Sequence, residues 1–348
     1  MLSKGNNRTW QLVVLIMIVA LLLSSCASVT VPAAPAQPAE SSAPADAVFK
    51  VGLVHPSPVT DAWSGQAYAA IERMRDELGA EIANVEVGDP AGYEKAFSDF
   101  ASQGYTLVIG HGFQYQDAAE KVSPDFPDTY FTTVGGAKTT ANYAPIDLVP
   151  GYMQALYAMG VLAAQVSETG QAAGFTLENP ATKLPLEGFR QGFESVPGHT
   201  FSMIVLRDGN DVGAGKEAAL QAIASGADIL IANANLAGDG VLQAVAEQGG
   251  DNVFAIGTIG NQNSKAPQNI LASAPLNIPQ ALFAVAQSAK DGTFAGGHVR
   301  GFTVNDEGVY QFVYNEELAD IVTPELQALV DETIAKLKAG EITVEMPQ

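Results

Sequence analysis

From Phe49 onward the chain alternates between short apolar runs of strand length and amphipathic stretches of helix length, and few folds accommodate that pattern. The apolar runs are Phe49–Val54, Thr106–Ile109, Tyr130–Val134, Ala172–Leu177, Phe201–Leu206, Ile229–Ala232 and Val253–Ile256. Runs this short and this uniformly apolar read as strands buried on both faces. Between them lie Asp61–Leu78, Tyr93–Ser102, Pro150–Val166, Leu184–Glu194, Ala214–Ala224, Gly238–Glu247, Pro279–Lys290 and Pro324–Lys338, which read as helices. Several open on a capping residue or an early proline: Asp61, Pro150, Pro279 and Thr323-Pro324. Strand–helix alternation predicts an α/β fold of parallel sheets covered by helices. A body of this length fits two doubly wound lobes better than one. Val299–Val304 and Val309–Tyr314, split by Asn305-Asp306-Glu307-Gly308, predict a hairpin near the end.

What precedes Phe49 has a different character. Lys4 and Arg8 stand before the apolar run Leu12–Leu23, which leads into Leu23-Ser24-Ser25-Cys26. The run is shorter than the roughly 20 residues a membrane-spanning helix needs, so it reads as a signal-peptide core over residues 1–25. Small residues before the chain's single cysteine resemble a bacterial lipobox, which implies cleavage before Cys26 and lipid on its sulfur. An ordinary secretory signal with an incidental cysteine is the alternative. Residues 26–47 are almost all Ala, Pro, Ser and Val, too little apolar surface to fold, and read as a disordered tether. The expected location is the extracytoplasmic face of a membrane, periplasmic or at the cell surface, held there by lipid alone.

Charge excludes one class of partner. Seventeen Lys+Arg stand against 38 Asp+Glu, a net charge of −21, and removal of Lys4 and Arg8 with the leader makes the remainder more acidic still. Such a surface repels phosphate backbones, so no nucleic acid is expected.

In open parallel sheets ligands bind beyond the carboxyl ends of the strands, so the loops there are the candidate site. After the first run come Pro56-Ser57-Pro58, then Asp61 and Trp63. After Thr106–Ile109 come Gly110-His111-Gly112-Phe113, with Asp117 beyond. Asp208 and Asn210 follow Phe201–Leu206, Asn233 and Asn235 follow Ile229–Ala232, and Asn261 follows Val253–Ile256. Amides both donate and accept, aromatics stack on flat rings, and cations are few. The mixture suits a neutral heterocycle better than a phosphate or an amino acid. Each residue also has a structural role open to it: Asp61 as a helix cap, Trp63 and Phe113 as packing, Asp208 and Asn210 as a turn, Asn233 and Asn235 as partners for strand-end backbone. His55, His111, His199 and His298 are scattered without metal-ligand spacing, and neither metal nor cofactor is expected.

Phe49–Val54 running into Pro58-Val59-Thr60-Asp61-Ala62-Trp63 resembles the opening of the BMP family (basic membrane protein, purine-nucleoside-receptor-like) of ABC-importer binding lipoproteins. Gly110-His111-Gly112-Phe113-Gln114-Tyr115-Gln116-Asp117-Ala118, Tyr157–Ala164, Gly215–Ala219 and Gly226–Leu230 resemble further stretches of that family in the same order. The resemblance implies a type I periplasmic-binding-protein fold: two lobes, 48–140 plus 266–299 and 141–265 plus 300–322, three hinge crossings, and a last helix and tail over 323–348. It implies a monomer that captures a purine base or nucleoside by hinge closure and delivers it to an ABC permease and ATPase complex. It puts Trp63 where an aromatic stacks on the base, Phe113 and Asp117 in the base-contacting loop, and a second aromatic where Gly209 stands. Asn277 falls where the nucleoside-binding branch has a ribose-binding lysine. The Gly-x-Asp-Ser-Asp-Gln run reads Gly257-Thr258-Ile259-Gly260-Asn261-Gln262, without its ribose-binding aspartate. These departures favour a free base. A ligand-sensing lipoprotein for a membrane signalling partner, or a binder of an unrelated solute, has the same outline. An enzyme is not expected, since Gly-x-Gly-x-x-Gly after the first strand, a phosphate-binding Gly-x-x-x-x-Gly-Lys motif and a Gly-x-Ser-x-Gly elbow are all absent.

Overall fold

A computed structural model describes residues 48–347, apart from Asp61, residues 249–251 and the side chain of Ala62. The leader, the tether with Cys26, and Asp61 therefore lie outside the described residues.

The first lobe is built on β1 (Lys50–His55), β2 (Glu81–Glu86), β3 (Leu107–Gly110) and β4 (Tyr130–Thr133), all parallel in the order β2-β1-β3-β4. Val51, Leu53, Leu107, Val108 and Ile109 are fully buried, as uniformly apolar central strands require. Its helices are α1 (Ala62–Leu78), α2 (Tyr93–Ser102) and α3 (Gln116–Val122). α2 lays Phe97 and Phe100 on one face of the sheet, where they meet Tyr115 and Phe131 in a second apolar cluster.

A short strand, β5 (Ile146–Asp147), leads into α4 (Val149–Val166) and the second lobe. There β6 (Gln171–Leu177), α5 (Pro180–Phe193), β7 (Thr200–Leu206), α6 (Val212–Ala224), β8 (Ile229–Asn233), α7 (Ala237–Ala246), β9 (Phe254–Ile259) and β10 (Ile270–Pro275) follow in turn. The chain then runs through α8 (Ile278–Lys290), which packs on α1, then β11 (Arg300–Gly301), β12 (Val313–Tyr314) and α9 (Pro324–Ala339) against α4. The six-stranded sheet has the order β12-β10-β9-β8-β6-β7, with β12 alone antiparallel.

Two expectations change. The hairpin over 299–314 does not form: β11 pairs in parallel with β5, and β12 pairs with β10. The segment 266–299, expected in the first lobe, divides instead. Its strand β10 sits in the six-stranded sheet, and its helix α8 packs on the first lobe.

The chain passes between the lobes at β5–α4, at β10–α8 and at β11–β12, and two tyrosines bolt these crossings together. The buried Tyr310 hydroxyl lies 2.9 Å from Leu148 O and 3.2 Å from Phe302 O. Tyr152 donates to Ala274 O at 3.0 Å and accepts from Ile259 N–H at 2.7 Å. Burial pushes both phenols above their ordinary value, so they act here as neutral hydrogen-bonding groups. Ile259 has φ +64°, a left-handed conformation that a β-branched residue adopts only under restraint; its N–H is held by the Tyr152 hydroxyl and its carbonyl by Leu276 N–H at 2.9 Å.

Candidate ligand-binding cleft

Each parallel sheet reverses its strand order once, between β1 and β3 in the first and between β6 and β8 in the second. Loops on either side of such a reversal diverge and leave a crevice at the strands' carboxyl ends. Both crevices open on one cleft of about 970 Å³. The first lobe contributes Trp63, Gly112–Gln114 and Val134–Gly136, which follow β1, β3 and β4. The second contributes Glu178–Ala181 after β6, Leu184 and Pro185 on α5, and Asn235 after β8. Ile146–Val149, Tyr152 and Leu276, at the hinge, form the floor.

Trp63 stands on the first turn of α1, 39% exposed. One face of its indole stacks on His111, ring centroids 4.1 Å apart and planes 24° from parallel. Its Nε1–H donates to His111 O at 3.3 Å, and His111 Nε2–H donates back to Trp63 O at 2.9 Å. The carbonyl can only accept, so the His111 proton is on Nε2, and Nδ1 is buried without a partner among the described residues. Burial pushes the imidazole down to about 4, so it is neutral at pH 7. A neutral, fully buried ring, tied through Nε2 to the Trp63 backbone and stacked on the indole, supports it from behind. Phe113 lines the same cleft, 63% exposed, on a turn that Gly112 permits through φ +143°. Any side chain there would also strike Gln114, since a Cβ would lie 2.3 Å from its Oε1.

Among the described residues, the two charged groups that line the cleft are both acids. Asp147 accepts from Val149 N–H, the first amide of α4, at 3.0 Å, and Glu178 pairs with Lys183 at 2.8 Å. Among the described residues neither Lys nor Arg lines the cleft. An anionic ligand would meet no cation, whereas a flat neutral ring finds aromatic and aliphatic walls.

Trp63, Gly112, Phe113 and Asn235 are the sequence candidates that the fold gathers at the cleft. Asn235 has φ +51°, a left-handed conformation that asparagine tolerates. Asp61 lies outside the described residues, and the remaining candidates lie off the cleft walls. Pro58 is exposed in the loop before α1, and Asp117 pairs with Lys138 at 3.2 Å on the outer side of α3. Asp208 accepts from Asn210 N–H at 2.8 Å, and Asn261 accepts from Asn263 N–H at 3.1 Å, each closing its own turn. Asn233 donates to Thr182 O at 3.2 Å, and Asn277 caps α8 by accepting from Gln280 N–H at 3.1 Å. Sequence reasoning passed over Tyr152, Asp147, the start of α5 and Met346, all on the cleft. An aspartate two residues before the helix that contains Pro150 was a readable signal at Asp147; Met346 carried none.

Among the described residues no group of acidic, histidine or cysteine side chains could hold a metal ion, and no helix is long and apolar enough to cross a membrane. Residues 48–345 match the family model described as Bmp, ABC transporter substrate-binding protein PnrA-like. Basic membrane protein A2 of Borrelia garinii subsp. bavariensis is 27% identical over 289 residues, 80% of this chain and 82% of that protein. A purine-binding protein of Brucella abortus is 25% identical over 305 residues, 86% of this chain and 83% of that one. Among solved structures, a transcriptional activator from Bacillus halodurans superposes with a TM-score of 0.73 at 19% identity, over 85% of this chain and all of that one. The order of strands, the three crossings and a match over nearly the whole body agree: the chain belongs to the Bmp family of PnrA-like ABC transporter substrate-binding proteins, and is a binding protein of type I fold rather than an enzyme.

Proposed function

We propose that the protein captures a purine by closing its two lobes over the ring, that it favours the free base over the nucleoside, and that it delivers its cargo to a membrane permease while anchored through lipid on Cys26. The observation that carries the ligand class is the cleft itself: Trp63, braced from behind by His111, and the exposed Phe113 stand on walls that bear no cation among the described residues. The name of the Brucella relative, a purine-binding protein, supports the same class. Preference for the base rests on the positions where the resemblance puts ribose-binding groups. Ile259 has no side-chain acceptor, and the Asn277 amide oxygen is committed to the α8 cap. A ribose diol left without partners in a closed cleft loses about 1–3 kcal/mol per group. Ligand drives closure only by binding the closed form better than the open one.

Calorimetric titration of the full chain with adenine, hypoxanthine, adenosine and inosine tests this reading. The expected result is binding of a base at least tenfold tighter than its nucleoside, abolished or weakened by about tenfold or more in Trp63→Ala. A nucleoside binding tighter than its base would remove the base preference. Heat from none of the four would remove the ligand class.

A further inference from the structure

The chain does not stop at its last helix. α9 ends in a left-handed cap at Gly340, φ +73°, and Glu341 N–H bonds back to Lys336 O at 2.9 Å. The chain is thereby turned across the second lobe. Ile342 and Val344 pack against the main apolar core. Next, the side-chain amide of Gln191, on the outer turns of α5, clasps the backbone of Glu345 from both sides. Its Nε2 donates to Glu345 O at 2.8 Å, and its Oε1 accepts from Glu345 N–H at 2.8 Å. Gln191 thus does for one residue what a neighbouring strand does in a sheet, and the result is that the following residue, Met346, reaches the cleft.

Met346 is 52% exposed. Three of the large apolar side chains that the protein exposes, Trp63, Phe113 and Met346, line the same cleft, two from the first lobe and one from the second. Among the described residues the second lobe otherwise presents Pro180, Ala181, Leu184, Pro185 and polar groups there, with no aromatic of its own beyond the hinge tyrosine. A methionine is suited to the missing role. Its unbranched thioether adapts to an irregular surface and makes favourable contact with an aromatic ring.

We propose that the segment 341–346 is part of the binding site: Gln191 clips it to α5, and the Met346 thioether packs against the ligand ring from the second lobe, opposite Trp63 and Phe113. The proposal rests on the purine reading above and names a wall of that site. Gln191 is a positioning residue that acts through Met346, so its loss and the loss of Met346 are one event.

Calorimetric titration with adenine and hypoxanthine of the full chain and of Met346→Ala, Met346→Leu, Gln191→Ala and the Gln191→Ala/Met346→Ala double variant decides it. Met346→Ala weakens base binding by about five- to tenfold, Met346→Leu restores most of it, and Gln191→Ala weakens it in the same direction. The double variant is no weaker than Met346→Ala alone, because two changes that act through one contact do not add. Both residues lie at the surface, and unchanged thermal unfolding shows that each variant folds. Wild-type affinity in Met346→Ala overturns the inference while leaving the purine reading standing. Additive losses in the double variant overturn the role of Gln191. A wild-type chain that binds neither base removes the purine reading and this inference with it.

Discussion

At the scale of single residues, the cleft depends on polar groups with no contact to solvent. His111 is fully buried, stacks on Trp63 and gives its one proton to Trp63 O. Its pKa of about 4 in the folded protein lies below the ordinary 6.5, chiefly because burial disfavours the charged ring. In the unfolded chain it titrates near the ordinary value, so between these two values the unfolded state holds a proton that the folded state refuses. The stability tied to neutral His111 is complete above pH 6.5 and is lost as pH falls toward 4. From pH 7 to pH 5 the loss is about 2 kcal/mol. Urea unfolding of wild type and His111→Phe at both pH values measures it. The wild type should lose more stability on acidification by about that amount, and equal losses would show that His111 does not carry the effect. The same scale shows why only part of the site was legible. Trp63 and Phe113 were found because bulky aromatics beside strand ends have few uses. Asp208, Asn261 and Asn277 carry the same polar chemistry as ligand contacts, yet their oxygens close local turns or cap a helix, a choice that depends on loop geometry. Met346 arrives by a fold-wide path that leaves no local mark.

At the scale of elements, α4 and α5 meet through glycine. A Cβ on Gly188 would lie 2.1 Å from Met153 O, on Gly192 2.0 Å from Tyr157 O, and on Gly160 2.2 Å from Phe189 O. The two backbones are therefore in direct contact, and no side chain fits between them. This pair also fixes the cleft, since α4 carries Tyr152 and α5 carries Leu184, Pro185 and Gln191. Gly188→Val should force the helices apart and cost about 1–3 kcal/mol, read as a lower urea midpoint; an unchanged midpoint would mean that the interface yields freely. Most strands and helices were readable because their apolar runs are continuous or helically spaced. β2 was not: Glu81-Ile82-Ala83-Asn84-Val85-Glu86 is an edge strand with no fully buried residue, so it lacks the uniform apolar signature. β10 was missed because Ile270-Leu271-Ala272-Ser273-Ala274-Pro275 is rich in small residues, and its partner β12 was assigned to a hairpin. Two apolar runs and a turn signal cannot tell a hairpin from two strands that leave for different sheets.

At the scale of the whole molecule, the two lobes share a floor of crossings held by Tyr152 and Tyr310, and the cleft lies above it. Among the described residues three apolar clusters run from Phe49 to Val344, so the body has cores of its own. The alternation of strands and helices was enough to foresee two doubly wound lobes, whereas the allocation of β10 followed from pairing that no local pattern records. The proposed capture requires one collective motion about these crossings, closure of the cleft over its contents. Small-angle X-ray scattering of the body from residue 48 onward, with and without saturating adenine, reads that motion directly. Closure over the ring predicts a smaller radius of gyration with adenine bound; binding seen by calorimetry with no change in the scattering curve would contradict capture between the lobes.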